Sequence, residues 1–179
     1  MKFSCPKDVI LSAVQTTAKA AAGKSTIAAL EGILMELEGN TLTVTGYDLD
    51  IGIKTSIEVN GIESGNIVVG ARKVGDIIRK MPSGYITFEC SDNNNAEISG
   101  RDTNITIMCM SADDYPNIPQ VNPETSFSMP QKLLKSMVTQ TKFAVAVTDS
   151  KPALMGCKFE LEDNLLSVAA VDGVRIALR

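Results

Sequence analysis

A direct internal repeat constrains the fold of this chain of 179 residues more than any other feature of the sequence. Shifting the sequence by 124 positions aligns residues 1–55 with residues 125–179 without a gap, and 18 of the 55 aligned pairs are identical. The identical pairs include Phe3/Phe127, Pro6/Pro130, Leu30/Leu154, Gly32/Gly156 and Asp48/Asp172. Such repetition indicates one structural module used more than once. Because the second copy stops within a strand pattern at Arg179, which leaves apolar strand faces uncovered, we expect a longer parent protein.

The first copy itself divides into two halves with the same predicted order of elements, namely a strand, a helix and three strands. Alternating apolar residues predict strands over residues 2–5, 33–38, 41–45 and 49–53, and apolar residues at helical spacing predict a helix over residues 6–24. The second half repeats this order from Ile67, with a helix over residues 71–81 and strands over residues 85–90, 96–99 and 104–110. A third half begins at Ser126, with a helix over residues 130–142 and strands over residues 156–162, 165–170 and 174–178. The predicted fold class is α+β, in which antiparallel sheets carry their helices on one face.

Prolines mark the boundary between the two copies. Residues 110–124 contain Pro116, Pro119 and Pro123, a composition typical of a linker. We therefore predict a first domain over residues 1–120, made of two half-repeats, and the first half of a second domain over residues 121–179.

Charge is segregated by the type of element. The three predicted helices hold ten basic and two acidic residues, a net charge of +8, whereas the rest of the chain holds seven basic and nineteen acidic residues, a net charge of −12. If equivalent helices share one face, that face is positive although the whole chain carries −4. Lysines and arginines on helix surfaces suit the phosphate backbone of a nucleic acid, which they contact without reading its sequence.

Several classes of chemistry are disfavoured by the composition. The chain has no histidine, and its four cysteines form no C-x-x-C pair, so we predict no metal site, no cofactor and reduced cysteines. The apolar runs are too short for a membrane span or a secretory signal, which predicts a cytoplasmic protein.

Two local motifs offer alternative functions. Residues 18–25 end in Gly-Lys-Ser like a phosphate-binding loop, but Ala18 stands where the first glycine belongs and the segment follows a helix, which disfavours nucleotide hydrolysis. Asp48 and Asp50 could form a metal pair for a nuclease. Asp48 recurs as Asp102 and Asp172 at the corresponding turns, however, and this recurrence favours a structural Asx-type turn.

Four segments carry a resemblance to a known family: residues 1–3 (Met-Lys-Phe), 69–73 (Val-Gly-Ala-Arg-Lys), 112–118 (Ala-Asp-Asp-Tyr-Pro-Asn-Ile) and 171–177 (Val-Asp-Gly-Val-Arg-Ile-Ala). Together they are similar to recurring segments of the bacterial sliding clamp family, the beta subunit of DNA polymerase III, and the resemblance extends over the whole chain. It implies the DNA clamp fold, with three similar domains per chain and two chains closed head to tail into a ring. It also implies a non-catalytic processivity factor whose helices line a hole around double-stranded DNA.

The resemblance further implies roles for individual residues. The positions that match DNA-facing sites of the family are Lys24, Arg72, Lys73, Arg79 and Lys151. The positions that match its pocket for short peptide motifs of the polymerase alpha subunit, the clamp loader and other polymerases are Leu154, Val171, Gly173, Val174, Arg175 and Ile176. Val174 departs from the histidine, and Val171 from the threonine, that the family often carries. Ile77, Ile105 and Ile107 resemble positions at the homodimer interface.

Two further hypotheses remain beside the clamp. A repeat-built scaffold could use the positive helices to bind an acidic protein instead of DNA. A metal-dependent nuclease could use Asp48 and Asp50.

Overall fold

The computed structural model describes residues 1–91, 94–119, 126–148 and 151–179. The chain divides into two compact units, Met1–Gln120 (unit 1) and Val121–Arg179 (unit 2). No helix in the described ranges is long and apolar enough to cross a membrane.

Unit 1 contains two helices and nine strands, numbered here among the residues that the structure describes. The first half comprises β1 (Lys2–Pro6), α1 (Lys7–Thr17), β2 (Gly32–Glu38), β3 (Thr41–Tyr47) and β4 (Gly52–Glu58). A short strand, β5 (Asn60–Glu63), follows it. The second half comprises β6 (Gly65–Gly70), α2 (Ala71–Lys80), β7 (Tyr85–Ser91), β8 (Asn95–Gly100) and β9 (Thr103–Met110). The order of elements predicted for both halves therefore agrees with the structure.

The two halves of unit 1 exchange their first strands. The strand order is β4-β3-β2-β6-β9-β8-β7-β1-β5, and the neighbouring strands are antiparallel. Strand β1 thus lies beside β7 of the second half, while β6 lies beside β2 of the first half. Because each half places a strand in the sheet of the other, the two halves form one folded unit.

The larger of two apolar clusters in unit 1 joins both halves. Phe3 and Phe88 are fully buried on the paired strands β1 and β7, and their rings stack with centroids 5.4 Å apart. On the helices, Ile10 and Val14 of α1 and Ile78 of α2 are fully buried against the sheet. This 3- and 4-residue spacing puts the apolar residues on one side of each helix and leaves the basic residues on the other.

The first helix is shorter than predicted. It ends at Thr17 and continues as a 3₁₀ turn, Ala18–Ala20, whereas the sequence predicted a helix to residue 24. The N–H of Ala22 donates to the carbonyl of Leu30 instead of continuing the helix. Strand β3 also presses against the helix end, since a Cβ at Gly46 would lie only 2.0 Å from the carbonyl oxygen of Thr17. Any larger residue at position 46 would have to displace the end of α1.

Two strand predictions in unit 1 also need correction. Strand β4 begins at Gly52 and not at residue 49, because Leu49 adopts a left-handed φ of 82° within the preceding turn. Strand β5 was not predicted at all. It pairs with β1 through Gly61 and Asn60, and its alternation of apolar residues is too short to be recognised in the sequence.

Unit 2 contains the helix α3 (Gln131–Thr141) and an antiparallel sheet of three strands, β10 (Lys158–Glu162), β11 (Leu165–Val171) and β12 (Ile176–Leu178). A 3₁₀ turn, Pro152–Met155, precedes the sheet. Residues 126–130, the repeat counterparts of β1, are described but form no strand. The strand expected at the start of the third half is therefore absent from the described residues.

Candidate functional site

The basic helix surface of unit 1 is formed where α1 and α2 pack side by side. The helices approach closely at Gly75, where a Cβ would lie 3.6 Å from Cγ1 of Val14. A shallow depression of about 210 Å³ lies between them, and Lys19, Arg72 and Arg79 all contribute to its lining. The fold therefore brings together cations from both halves that are more than 50 residues apart in sequence.

The cations of this surface differ in how they are already paired. Arg79 binds the carboxylate of Asp76 at 2.9 Å, whereas Arg72 and Lys73 have no carboxylate within salt-bridge distance in the described part of the chain. Lys7, counted among the helix cations, donates instead to the carbonyls of Arg79 and Met81 at the end of α2. Of these cations, the exposed side chains of Arg72 and Lys73 are therefore the most available to bind an external anion.

The other two predicted DNA-facing residues lie in loops. Lys24 is exposed in the loop that follows the 3₁₀ turn Ala18–Ala20. Lys151 is exposed in unit 2, directly before the turn Pro152–Met155. Both positions leave a long cationic side chain at the protein surface.

The predicted peptide pocket forms an exposed apolar surface at the end of unit 2. Val174 is 93% exposed and Ile176 is 77% exposed, while Leu154 is half-buried in the turn before β10. Val171 ends strand β11, and Gly173 turns the chain into β12 with a φ of 86°. Large apolar side chains with such exposure are typical of a binding surface, because a partner that covers them removes apolar area from water.

Asp172 holds the turn of this surface in place. One carboxylate oxygen accepts hydrogen bonds from the amides of Val174 and Arg175 at 3.1 and 2.8 Å. The other accepts from Nε and Nη2 of Arg175 at 2.8 and 2.6 Å. The amide and guanidinium of Arg175, together with the Val174 amide, hold the pKa of Asp172 at about 2, below its ordinary 3.8. Arg175, predicted as a residue of the peptide pocket, therefore also braces its turn.

We expect Arg175→Gln to raise the pKa of Asp172 from about 2 towards 3.8, because two side-chain donors and a positive charge are lost while both amide donors remain. Because the pKa of Asp172 is lower in the folded chain than its ordinary 3.8, the ionised carboxylate stabilises the folded turn at pH values above that range. This stabilisation is lost as the pH falls through 3.8 towards about 2. The measurement is a titration of the Asp172 carboxyl carbon by NMR. Lys158→Gln removes a cation that pairs with Glu160 instead, so it should leave this titration unchanged.

Unit 1 has the same turn at the equivalent position. Asp48 accepts from the amides of Asp50 and Ile51 at 3.0 and 2.7 Å, which confirms the Asx-type turn predicted for Asp48 and Asp172. The prediction was wrong for Asp102, which accepts no such bond within the described residues. One oxygen of Asp48 is thus engaged by the backbone, and the described residues contain no cluster of three potential metal ligands.

Replacing Leu49 by glycine is expected to leave stability unchanged or raise it by up to about 1 kcal/mol. Leu49 has a φ of 82°, which strains an L-residue by about 1 kcal/mol or more, and its side chain is more than half exposed. Its counterpart in the repeat, Gly173, has a φ of 86° without strain. Thermal unfolding measures the effect, with Ile51→Gly as the matched control. Ile51 is equally exposed but has no positive φ, so its replacement should cost about 0.5–1 kcal/mol.

The surface equivalent to the peptide pocket is filled in unit 1. Leu30 and Tyr47, the counterparts of Leu154 and Val171, are buried in a small apolar cluster with Tyr115. Ile118 packs against the same cluster and touches Gly52, the counterpart of Ile176. The Tyr115 hydroxyl donates to the carbonyl of Thr45, and burial raises the pKa of this tyrosine to about 12. An extended segment of the chain itself therefore covers this surface in unit 1.

Comparison with known proteins identifies the family. Residues 1–119 match the family model described as "DNA polymerase III beta subunit, N-terminal domain", and residues 128–179 match the model of its central domain. The chain belongs to the DNA polymerase III beta subunit family.

Relatives from several bacteria agree with this membership. The chain is 32% identical to the beta sliding clamps of Halalkalibacterium halodurans and Bacillus subtilis, over all of its own length and 49% and 50% of theirs. Among solved structures, that of the Bacillus subtilis sliding clamp is 31% identical with a TM-score of 0.92, covering all of this chain and 49% of that one. A putative DNA polymerase III beta subunit from Eubacterium rectale is 34% identical with a TM-score of 0.90, at the same coverage. The chain thus spans about half the length of these clamps.

The residues predicted at the clamp interface lie around strand β9. Ile77 of α2 and Ile107 of β9 are half-buried against the core, and Ile105 is half-buried on the same strand. Strand β9 pairs with β8 along Thr103–Met108, whereas among the described residues its other edge pairs with β6 only through Cys109 and Met110. Most of that edge therefore offers free backbone groups to another strand.

The sequence did not predict two features of these surfaces. The first is the ion pair between the guanidinium of Arg175 and the carboxylate of Asp172 within the turn. The three-residue spacing of these opposite charges in the sequence could have predicted it. The covering of Leu30 and Tyr47 by Tyr115 and Ile118 depends on a contact between residues about 70 positions apart. The latter leaves no periodic pattern in the sequence.

Proposed function

We propose that this chain supplies domain 1 (residues 1–120) and the first half of domain 2 (residues 121–179) of a sliding clamp, a processivity factor that encircles duplex DNA. The observation that carries the proposal is the packing of α1 against α2, which assembles Lys19, Arg72 and Arg79 around one depression. The protein acts in the cytoplasm as a non-catalytic subunit. A ring holds DNA by topology, so it needs no tight contact with any one sequence.

Arg72, Lys73, Arg79, Lys24 and Lys151 are proposed as the DNA-facing cations. Each cation that contacts a phosphate displaces counterions condensed on the DNA. This interaction is independent of base sequence and weakens as the salt concentration rises. Arg72 and Lys73 contribute most, since they have no carboxylate partner in the described ranges, whereas Arg79 must first release Asp76. Such weak and equivalent contacts along the backbone permit sliding.

Leu154, Val171, Gly173, Val174, Arg175 and Ile176 are proposed to bind short peptide motifs of the polymerase and the clamp loader. Support comes from unit 1, where the equivalent surface accepts an extended segment through an aromatic and an aliphatic side chain three residues apart, Tyr115 and Ile118. Apolar anchors of this kind, seated in a shallow groove with a polar rim, are a recurring mode of peptide recognition. The brace between Arg175 and Asp172 keeps the rim in position.

The interface between two clamp chains is proposed at Ile77, Ile105 and Ile107. The unpaired edge of β9 supports this assignment, because a strand of a second chain could extend the sheet there. Two full-length chains joined in this way form the homodimeric ring.

The test of the ring is retention on DNA. The protein encoded by the reading frame that contains these residues, loaded on nicked circular DNA, is expected to stay bound and to leave when the circle is linearised. The rest of domain 2 and then a third domain, built from the same half-module, are expected in that frame. Equal retention on circular and linear DNA would falsify the ring. If charge reversal at Arg72, Lys73, Arg79 and Lys80 leaves loading on DNA and processive synthesis unchanged, the scaffold hypothesis with an acidic protein partner gains instead.

A further inference from the structure

Helix α2 carries one acidic side chain among its cations. Asp76 is the sixth residue of the helix, and the four cations of α2 all lie three or four positions before or after it. These cations are Arg72, Lys73, Arg79 and Lys80. Because residues at such spacings are neighbours on a helix surface, the carboxylate of Asp76 lies at the centre of the cationic surface of α2. All five charged side chains are exposed.

The carboxylate of Asp76 is already bonded to one of these cations. Its Oδ1 accepts a hydrogen bond from Nη1 of Arg79 at 2.9 Å, and both side chains are about half exposed. Asp76 also lines the depression between α1 and α2, together with Lys19, Arg72 and Arg79. It therefore lies on the surface proposed to face DNA, where it binds a guanidinium that a phosphate would otherwise contact.

Helix stability does not account for an acidic residue at this position. The helix dipole favours an acid in the first turn, as at Asp8 of α1, whereas Asp76 lies in the second turn of α2. Aspartate is also a poor helix former. The exposed ion pair with Arg79 adds little to folding, because such pairs contribute little to stability. Helix α3 carries two lysines and no acidic residue, so the module does not require an acid within its helix.

We propose that Asp76 is an internal competitor for DNA: its carboxylate binds Arg79 whenever a phosphate leaves, and it thereby keeps the affinity of α2 for the duplex low. This role rests on the proposed function, since it requires α2 to face DNA. A carboxylate and a phosphate accept the same kind of hydrogen bond from a guanidinium, so one can replace the other. A sliding clamp has to break each phosphate contact many times, and the ion pair with Asp76 stabilises the state between two contacts. The carboxylate also repels phosphates that approach the neighbouring cations.

Asp76→Asn is expected to strengthen binding of this chain to duplex DNA about fivefold at about 0.1 M salt, because Arg79 becomes available for one further phosphate contact. The same contact should add about 0.9 to the magnitude of the slope of log affinity against log salt concentration. Fluorescence anisotropy with a labelled duplex at several salt concentrations measures both quantities, and circular dichroism checks that the helices are retained. An unchanged or weaker affinity in Asp76→Asn overturns the proposal.

Asp8→Asn is the matched control. Asp8 is the other acidic residue within helices α1 to α3, so its replacement changes the net charge of the chain equally. Its neighbours at three and four positions are uncharged, namely Ser4, Cys5, Leu11 and Ser12. We expect Asp8→Asn to keep the affinity within about twofold of the parent chain, because exposed charges more than about 10 Å apart are largely screened at this salt concentration. An equal gain in Asp8→Asn and Asp76→Asn means that net charge controls binding, and it contradicts a specific role of Asp76.

A second background shows whether Asp76 acts through Arg79. In Arg79→Gln, the change Asp76→Asn should no longer steepen the salt dependence, since no guanidinium remains to be released. Equal steepening with and without Arg79 overturns the proposed competition. Failure of the proposed function has a different signature, because duplex affinity then stays unchanged when Arg72, Lys73 and Arg79 are all replaced by glutamine. If that triple variant binds weakly and Asp76→Asn gains nothing, α2 faces DNA and the internal competitor alone is wrong.

Discussion

Replacing Arg72, Lys73 and Arg79 together by glutamine is expected to weaken binding of this chain to duplex DNA on the order of 100-fold at about 0.1 M salt. Each phosphate contact contributes about 0.9 to the slope of log affinity against log salt concentration, so three lost contacts reduce that slope by about 2.7. The physical reason is that the three side chains lie on the exposed side of one helix, and two of them have no carboxylate partner among the described residues. Fluorescence anisotropy with a labelled duplex, at several salt concentrations, measures both quantities.

The matched control removes the same number of charges from the strands. Lys2, Lys54 and Lys158 are ion-paired with Glu89, Glu36 and Glu160, so their replacement by glutamine changes net charge equally without removing available cations. We expect this variant to retain most of the affinity and nearly all of the salt slope. If both triple variants lose affinity to the same degree, binding depends on net charge and the helix surface has no special role.

Phe88→Ala is expected to lower the free energy of unfolding of unit 1 by about 3–5 kcal/mol. Phe88 is fully buried in the centre of the shared core, and its loss removes both the packed ring and its stack on Phe3. Because the two rings belong to strands of different halves, the cavity opens at the junction of the exchanged strands. Denaturant unfolding followed by circular dichroism measures the change.

Tyr85→Ala provides the control on the same strand. Tyr85 begins β7 and is exposed, so its truncation should change the unfolding free energy by less than about 0.5 kcal/mol. Comparable losses from both substitutions would mean that strand propensity, and not the buried stack, dominates the stability of β7.

Much of the fold could be predicted from the sequence because the module repeats and its periodicities are clear. The apolar residues of α2 recur every three or four positions, and those of β3 and β9 alternate, so these elements were placed within two residues of their ends. Turns were harder to place. Leu49 belongs to an alternating apolar pattern, yet a left-handed φ removes it from β4, and only the hydrogen bonds of Asp48 account for this.

The candidate sites were predictable only in part. Family resemblance placed Arg72, Lys73 and Arg79 on one helix, and the structure agrees, but pairing of Arg79 with Asp76 and of Lys7 with the end of α2 could not be deduced. These pairings require knowledge of which side chains the tertiary fold brings within reach. The covering of Leu30 by Tyr115 and Ile118 is likewise a long-range contact. Local periodicity contains no information about contacts of this kind.

The exchange of β1 and β6 also has a consequence for biosynthesis. A ribosome releases the first half of unit 1 well before β7, so β1 has to wait for its partner strand until more than 80 residues have been translated. Pairing between residues so distant in sequence is slow, and the nascent chain exposes apolar surface in the meantime. Until both halves have emerged, chaperones can therefore bind the exposed apolar surface of the growing polypeptide.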